Sequence, residues 1–104
     1  GQDVLMRLDV QGAETVKKLI PAVITVFLLC ESEEELVARL RERRTESAEA
    51  LQKRLETAHQ EMARIPDFDY VVVNRHGALD ATADDVAAII RAEHCRSVPQ
   101  EIRL

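Results

Sequence analysis

The chain has 104 residues, enough for one small domain or a section of a larger one, and its 46% hydrophobic and 32% charged content is that of an ordinary globular sequence. A formal net charge of -5 argues against a polyanion as partner of the whole chain, and an aromatic content of 3% without tryptophan excludes a stacking surface for single-stranded nucleic acid. Cys30 and Cys95 have no CxxC spacing and read as a small apolar residue and a helix-end thiol, and the longest apolar run, residues 22–30, is far short of the roughly 20 residues of a membrane span, so the expected setting is cytoplasmic with no membrane partner.

Residues 3–8 read as a short strand interrupted by Arg7. The stretch LDVQG then places Asp9, Gln11 and Gly12 where that strand must end. From Gly12 onward, AETVKKLI repeats Val16, Leu19 and Ile20 at helical spacing until Pro21. Residues 22–30, AVITVFLLC, are almost wholly apolar and β-branched. A run without alternation predicts a parallel strand covered on both faces, and strand, helix and strand together make a βαβ unit.

In SEEELVARLRER, Ser32 with Glu35 three residues on is a capping-box start, and Leu36, Val37 and Leu40 form a narrow apolar stripe. RRTES breaks the pattern. Residues 47–65 predict the longest helix, with Leu51, Leu55, Ala58, Met62 and Ile65 spaced by 4, 3, 4 and 3; the stripe is too short for a coiled coil and fits a packed helix. Pro66 stops it. Residues 69–74, DYVVVN, predict a third buried strand ending in Asn74, and His76-Gly77 marks a loop. Thr82 with Asp85 is expected to cap a last helix carrying Val86, Ile89 and Ile90, and SVPQEIRL is a tail expected to fray or to be taken up by a neighbour.

Ligands of open parallel sheets bind beyond the carboxyl ends of the strands, and three polar punctuations fall there: residues 9–12, residues 30–32 and Asn74. Spacing alone leaves Asp9 open between a helix cap and a site residue. Arg39, Arg41, Arg43 and Arg44, with Lys53 and Arg54 further on, offer guanidinium forks suited to phosphate. Glu33, Glu34, Glu35, Glu42, Glu46 and Glu49 lie among them, so charge pattern alone favours a solvated, ion-paired face. His59, His76 and His94 have no metal-ligand spacing, and neither a nucleophile-base constellation nor a glycine-rich phosphate loop is present in these residues.

Taken in order, DVLMRLDVQGAETVKK, FLLCESEEELVARLRERRTES, LQKRLETAHQEM, FDYVVVN and AAIIRAE resemble the C-terminal half of guanylate kinase, over nearly the whole chain to Arg96. The resemblance implies an α/β fold of the P-loop nucleoside monophosphate kinase type: a three-layer parallel sheet, present in part, of about three strands with flanking helices and a helical lid. Residues 1–31 would form a core strand-helix-strand, 32–65 the lid and following helix, 66–96 a core strand and last helix, and 97–104 the tail. It also implies transfer of the γ-phosphoryl group of ATP to GMP with Mg²⁺. Asp9, the aspartate of the D-x-Q-G motif, would contact guanine, whose N1–H and exocyclic amine are both donors that a carboxylate accepts and whose combination adenine lacks. Arg43 and Arg54, with Arg39 as a further candidate, would close over the phosphates. Asn74 would lie beside the ATP adenine.

Two departures stand out. Arg7 occupies a position that is usually acidic and tied to the metal, which puts carry-over of metal binding in doubt, and no metal ligand is assigned here. Arg44 replaces the lid glycine. The family's G-x-x-x-x-G-K-[ST] segment is also absent from these residues, so the expectation is a truncated kinase chain, inactive by itself and binding neither ATP nor Mg²⁺ tightly. The missing central strand would lie between the strand ending at Asp9 and residues 22–30. The gap is expected to be closed by re-pairing of those two strands, or by strand exchange or oligomerisation. The alternative is a guanylate-kinase-like module that binds protein without catalysis.

Overall fold

The computed structural model describes residues 5–42, 47–75 and 77–98. Asp9 starts the first helix, α1 (Val10–Leu19): its backbone is extended, with φ -73° and ψ 171°, and its carboxylate Oδ1 accepts the Gly12 N–H at 2.6 Å. That satisfies one of the N–H groups that every helix start leaves without an intrahelical acceptor, and it begins the helix two residues before Gly12. Pro21 follows the last turn, and Lys17 and Lys18 sit where the helix dipole favours cations.

Strand β1 (Val26–Cys30) and strand β2 (Tyr70–Asn74) pair in parallel, in a register that sets Val26 beside Tyr70, Phe27 beside Val71 and Cys30 beside Asn74. Among the described residues the sheet has these two strands only. The first strand expected from the sequence is not formed over the part that is described: residues 5–8 have no regular structure, and Leu5, Met6 and Leu8 are exposed. A lone extended segment leaves its backbone N–H and C=O groups to water, and no described strand runs beside it to pair them.

Full cover on both faces of the apolar runs is likewise not reached. Phe27 is buried beside Val71, which is 47% exposed, and Val72 is buried beside Leu28, which is 53% exposed. Neighbours in parallel register share a face, so each face of this small sheet is half covered. The Phe27 ring meets the edge of Phe68 at a centroid distance of 5.3 Å, and this T-shaped pair extends the core past the start of β2.

After β1, the Ser32 hydroxyl accepts the Glu35 N–H at 3.1 Å and opens helix α2 (Glu33–Glu42). Ser47 does the same for helix α3 (Ala48–Met62), accepting from Ala50 at 3.2 Å. Helices α2 and α3 pack together, and the stripe of Leu51, Leu55, Ala58 and Met62 is half-buried. Ile65 lies beyond this helix, in a single 3-10 turn (Ile65–Asp67) that Pro66 starts, because a proline early in a turn has no N–H to satisfy.

The last helix, α4 (Leu79–His94), packs on β2. It begins three residues before Thr82, so Thr82 is not its cap. The Thr82 N–H donates to the Ala78 carbonyl at 3.2 Å, which places Thr82 in the first full turn, and its side chain turns inward. Among the described residues, no helix is long and apolar enough to cross a membrane.

Candidate functional site

Asp9 is exposed at the start of α1, in the loop that follows residues 5–8. Its described hydrogen bond uses Oδ1; a carboxylate has a second oxygen and about four acceptor directions, so capping leaves capacity for an outside donor. Gly12 holds this arrangement close: a Cβ built on Gly12 would stand 2.9 Å from Asp9 Oδ1. The glycine matters here for space.

Arg39 projects from α2 toward the end of β2. Its Nε donates to Glu35 Oε1 at 3.0 Å, one helical turn back, and its Nη2 donates to the Asn74 carbonyl at 3.2 Å. The structure therefore brings together Arg39 and Asn74, two of the residues singled out from the sequence. Asn74 also accepts at its side-chain Oδ1 from the Thr82 hydroxyl, at 3.0 Å. Among the described residues Thr82 is the buried polar side chain, where the sequence predicts a helix cap. It lies eight positions from Asn74 across a turn, where no periodicity connects the two.

Arg54 belongs to α3 and lines a cavity of about 410 Å³ between the two arm helices, with Leu40, Lys53, Thr57, Ala58 and Glu61. Two cations and one carboxylate border that space, so its basic end is matched by an acid. Arg43 and Arg44, with Thr45, lie outside the described residues. Arg7 is exposed in the loop before Asp9. Among the described residues, no three histidine, cysteine, aspartate or glutamate side chains gather to hold a metal ion.

Two further polar clusters, unremarked in the sequence, brace the frame around these residues. Asp69 Oδ2 accepts from the Thr25 N–H at 2.8 Å, the Thr25 hydroxyl at 3.0 Å and Lys17 Nζ at 3.0 Å, while Lys17 also donates to the Val23 carbonyl at 2.6 Å. Burial pushes the Asp69 carboxyl up, but these donors outweigh it and hold the group below its ordinary value. At the same end of the sheet the Tyr70 hydroxyl donates to Glu93, which pairs with Arg96 at 2.6 Å. The bond to Glu93, helped by burial, raises the Tyr70 phenol; Tyr70 and then Arg96 lower the Glu93 carboxyl.

Among the described residues, a small parallel sheet with four helices makes this a mixed α/β chain. The guanylate kinase family model matches residues 1–93. Guanylate kinase 2, chloroplastic/mitochondrial, of Oryza sativa subsp. japonica is 43% identical over 97 residues, covering 92% of this chain and 34% of its own length. The guanylate kinases of Aromatoleum aromaticum and Chromobacterium violaceum are 42% and 41% identical, over 99% and 100% of this chain and 50% and 49% of theirs. The chain belongs to the guanylate kinase family, and it spans a third to a half of the length of these relatives.

Proposed function

We propose that this chain supplies the guanine-reading turn and the phosphate-closing arm of an enzyme that moves a phosphoryl group from ATP to GMP. The observation that carries the reading is the family match over residues 1–93, a range that includes Asp9, Arg39, Arg43, Arg54 and Asn74. Residues 1–31 and 66–96 are then parts of a three-layer core and residues 32–65 its arm. Asp9 accepts from the N1–H and exocyclic amine of guanine while Gly12 anchors its other oxygen. Arg54 and Arg43, with Arg39, neutralise the charge that spreads over the equatorial oxygens of the transferring group and keep water out. An arginine so placed contributes about 10³-fold or more in related phosphoryl transfers.

No Mg²⁺ ligand is proposed among these residues, because Arg7 brings a positive charge to the loop before Asp9. No step is assigned to the metal. The 104 residues also contain no G-x-x-x-x-G-K-[ST] cradle for the ATP phosphates, so by themselves they are expected to transfer no phosphoryl group. GMP-dependent ADP release from the purified chain, abolished by Arg54→Ala, would overturn that expectation. The base-reading role is tested by titrating the ¹⁵N-labelled chain with GMP and with AMP. The backbone signals of residues 9–12 should respond to GMP at lower concentration than to AMP, and Asp9→Asn should erase the difference. Equal responses to the two nucleotides refute the reading and are what a peptide-binding module would give.

A further inference from the structure

The least expected polar contact in the fold is the one between Thr82 and Asn74. Thr82 is 7% exposed, and its Oγ1 lies 3.0 Å from Asn74 Oδ1 and 3.4 Å from the Ala78 carbonyl. A hydroxyl carries one hydrogen, and the shorter, side-chain acceptor takes the larger share of it. In this arrangement the hydroxyl donates to the amide oxygen, which leaves the Asn74 NH₂ group directed away from Thr82. The backbone around it is fixed. Asn74 ends the ladder opposite Cys30, and its carbonyl accepts from Arg39 Nη2 at 3.2 Å.

We infer that Thr82 is a positioning residue: it clamps the Asn74 side chain with the oxygen inward, so that Asn74 meets a purine base through its NH₂ group, as a hydrogen-bond donor. This rests on the proposal that Asn74 lies at the base of the phosphoryl donor. It goes further by stating what that residue can read. A donor recognises a ring nitrogen and cannot accept from the exocyclic amine of adenine. The contact is therefore blind to whether that amine is present, and discrimination against other bases must come from elsewhere in the site.

The test uses side-chain amide signals of the ¹⁵N-labelled chain, comparing wild type with Thr82→Val, which keeps the shape and removes the hydroxyl, and Thr82→Ser, which restores it. Backbone spectra of each variant establish that it is folded. The Asn74 amide should be rigid in the wild type and in Thr82→Ser, and should fall below an order parameter of about 0.6 in Thr82→Val. Millimolar ATP should shift the Asn74 NH₂ signals of the wild type, and purine riboside triphosphate, which lacks the exocyclic amine, should shift them equally. Equal mobility in all three proteins overturns the clamp. An NH₂ signal that moves with ATP but not with the amine-free analogue overturns the donor assignment, as does one that moves with neither. Failure of the placement of Asn74 at the donor base is seen separately, as ATP shifts that appear elsewhere in the backbone spectrum and not at Asn74, and leaves the mobility comparison unaffected.

Discussion

Replacing Asp69 probes the junction that joins the end of α1, the approach to β1 and the start of β2. Its Oδ2 accepts three hydrogen bonds, from the Thr25 N–H, the Thr25 hydroxyl and Lys17 Nζ, and its own N–H donates back to Thr25 Oγ1 at 3.1 Å. A net hydrogen bond contributes about 1 kcal/mol and one to a charged group somewhat more. The Asp69 and Lys17 side chains are 33% and 32% exposed, so the ionic part is discounted for screening by water. Asp69→Ala should therefore lose about 2 kcal/mol, mostly by stranding the Thr25 N–H, which in a domain of this size lowers Tm by roughly 10 °C. Asp69→Asn keeps a neutral acceptor and should lose about half as much.

The same residue predicts an acid limb. Its carboxyl titrates below its ordinary value of 3.8 in the folded chain, so the unfolded chain binds the proton more readily. The contribution is fully present above the unfolded value and is lost as pH falls through the lower, folded one. Urea unfolding followed by circular dichroism from pH 7 down to pH 3 would show a stability loss at the acid end that Asp69→Asn reduces. The reasoning fails if Asp69→Ala stays within about 0.5 kcal/mol of wild type, the scatter of ordinary surface changes. It fails equally if Asp69→Asn reproduces the whole acid limb.

Two other substitutions test the core and the proposed guanine-reading turn. Phe27→Ala removes a buried ring and its edge contact with Phe68, and should lose about 3 kcal/mol in the same urea assay, against less than about 1 kcal/mol for Leu28→Ala on the exposed part of the sheet. Gly12→Ala would normally strengthen a helix by up to about 1 kcal/mol, but here the new methyl group meets Asp9 Oδ1 at 2.9 Å, so the cap should weaken and the net change should be destabilising. The GMP response of residues 9–12 should weaken with it; a stabilised chain with unchanged GMP response would show that Asp9 is free to swing aside.

How much of this was legible in the sequence depended on the range of the interaction. Ser32 caps α2 as its position predicts, because a cap is a contact over three residues, and Ser47, read as the first residue of the next helix, caps α3 in the same way. The apolar runs of β1 and β2 were visible from composition, yet the cover of their faces was not, since exposure of Leu28 and Val71 depends on what lies across the sheet. Residues 5–8 have the composition of a strand and lack a partner, and pairing is a property of two segments. At the site, the sequence pointed to Asp9, Arg39, Arg54 and Asn74 but could not reveal the bond between Arg39 and the Asn74 carbonyl, made across 35 positions. The Asp69–Lys17 contact spans 52 positions and was equally out of reach.

That Arg39 contact bears on what Arg39 must give up in the proposed reaction. Arg39 is held to the core: one nitrogen serves Glu35 and another the Asn74 carbonyl, a neutral acceptor at the end of β2. Arg54 lies instead along the cavity between the arm helices, beside Lys53. In the proposed reaction Arg39 must exchange a backbone carbonyl for a phosphate oxygen. The exchange is favourable because a guanidinium bonds a phosphate bidentately and about twice as strongly as a neutral acceptor. The carbonyl it leaves belongs to the residue whose side chain Thr82 clamps. If both proposals hold, contact with the phosphates through Arg39 and orientation at the base meet in one residue, Asn74, through its backbone carbonyl on one side and its amide on the other.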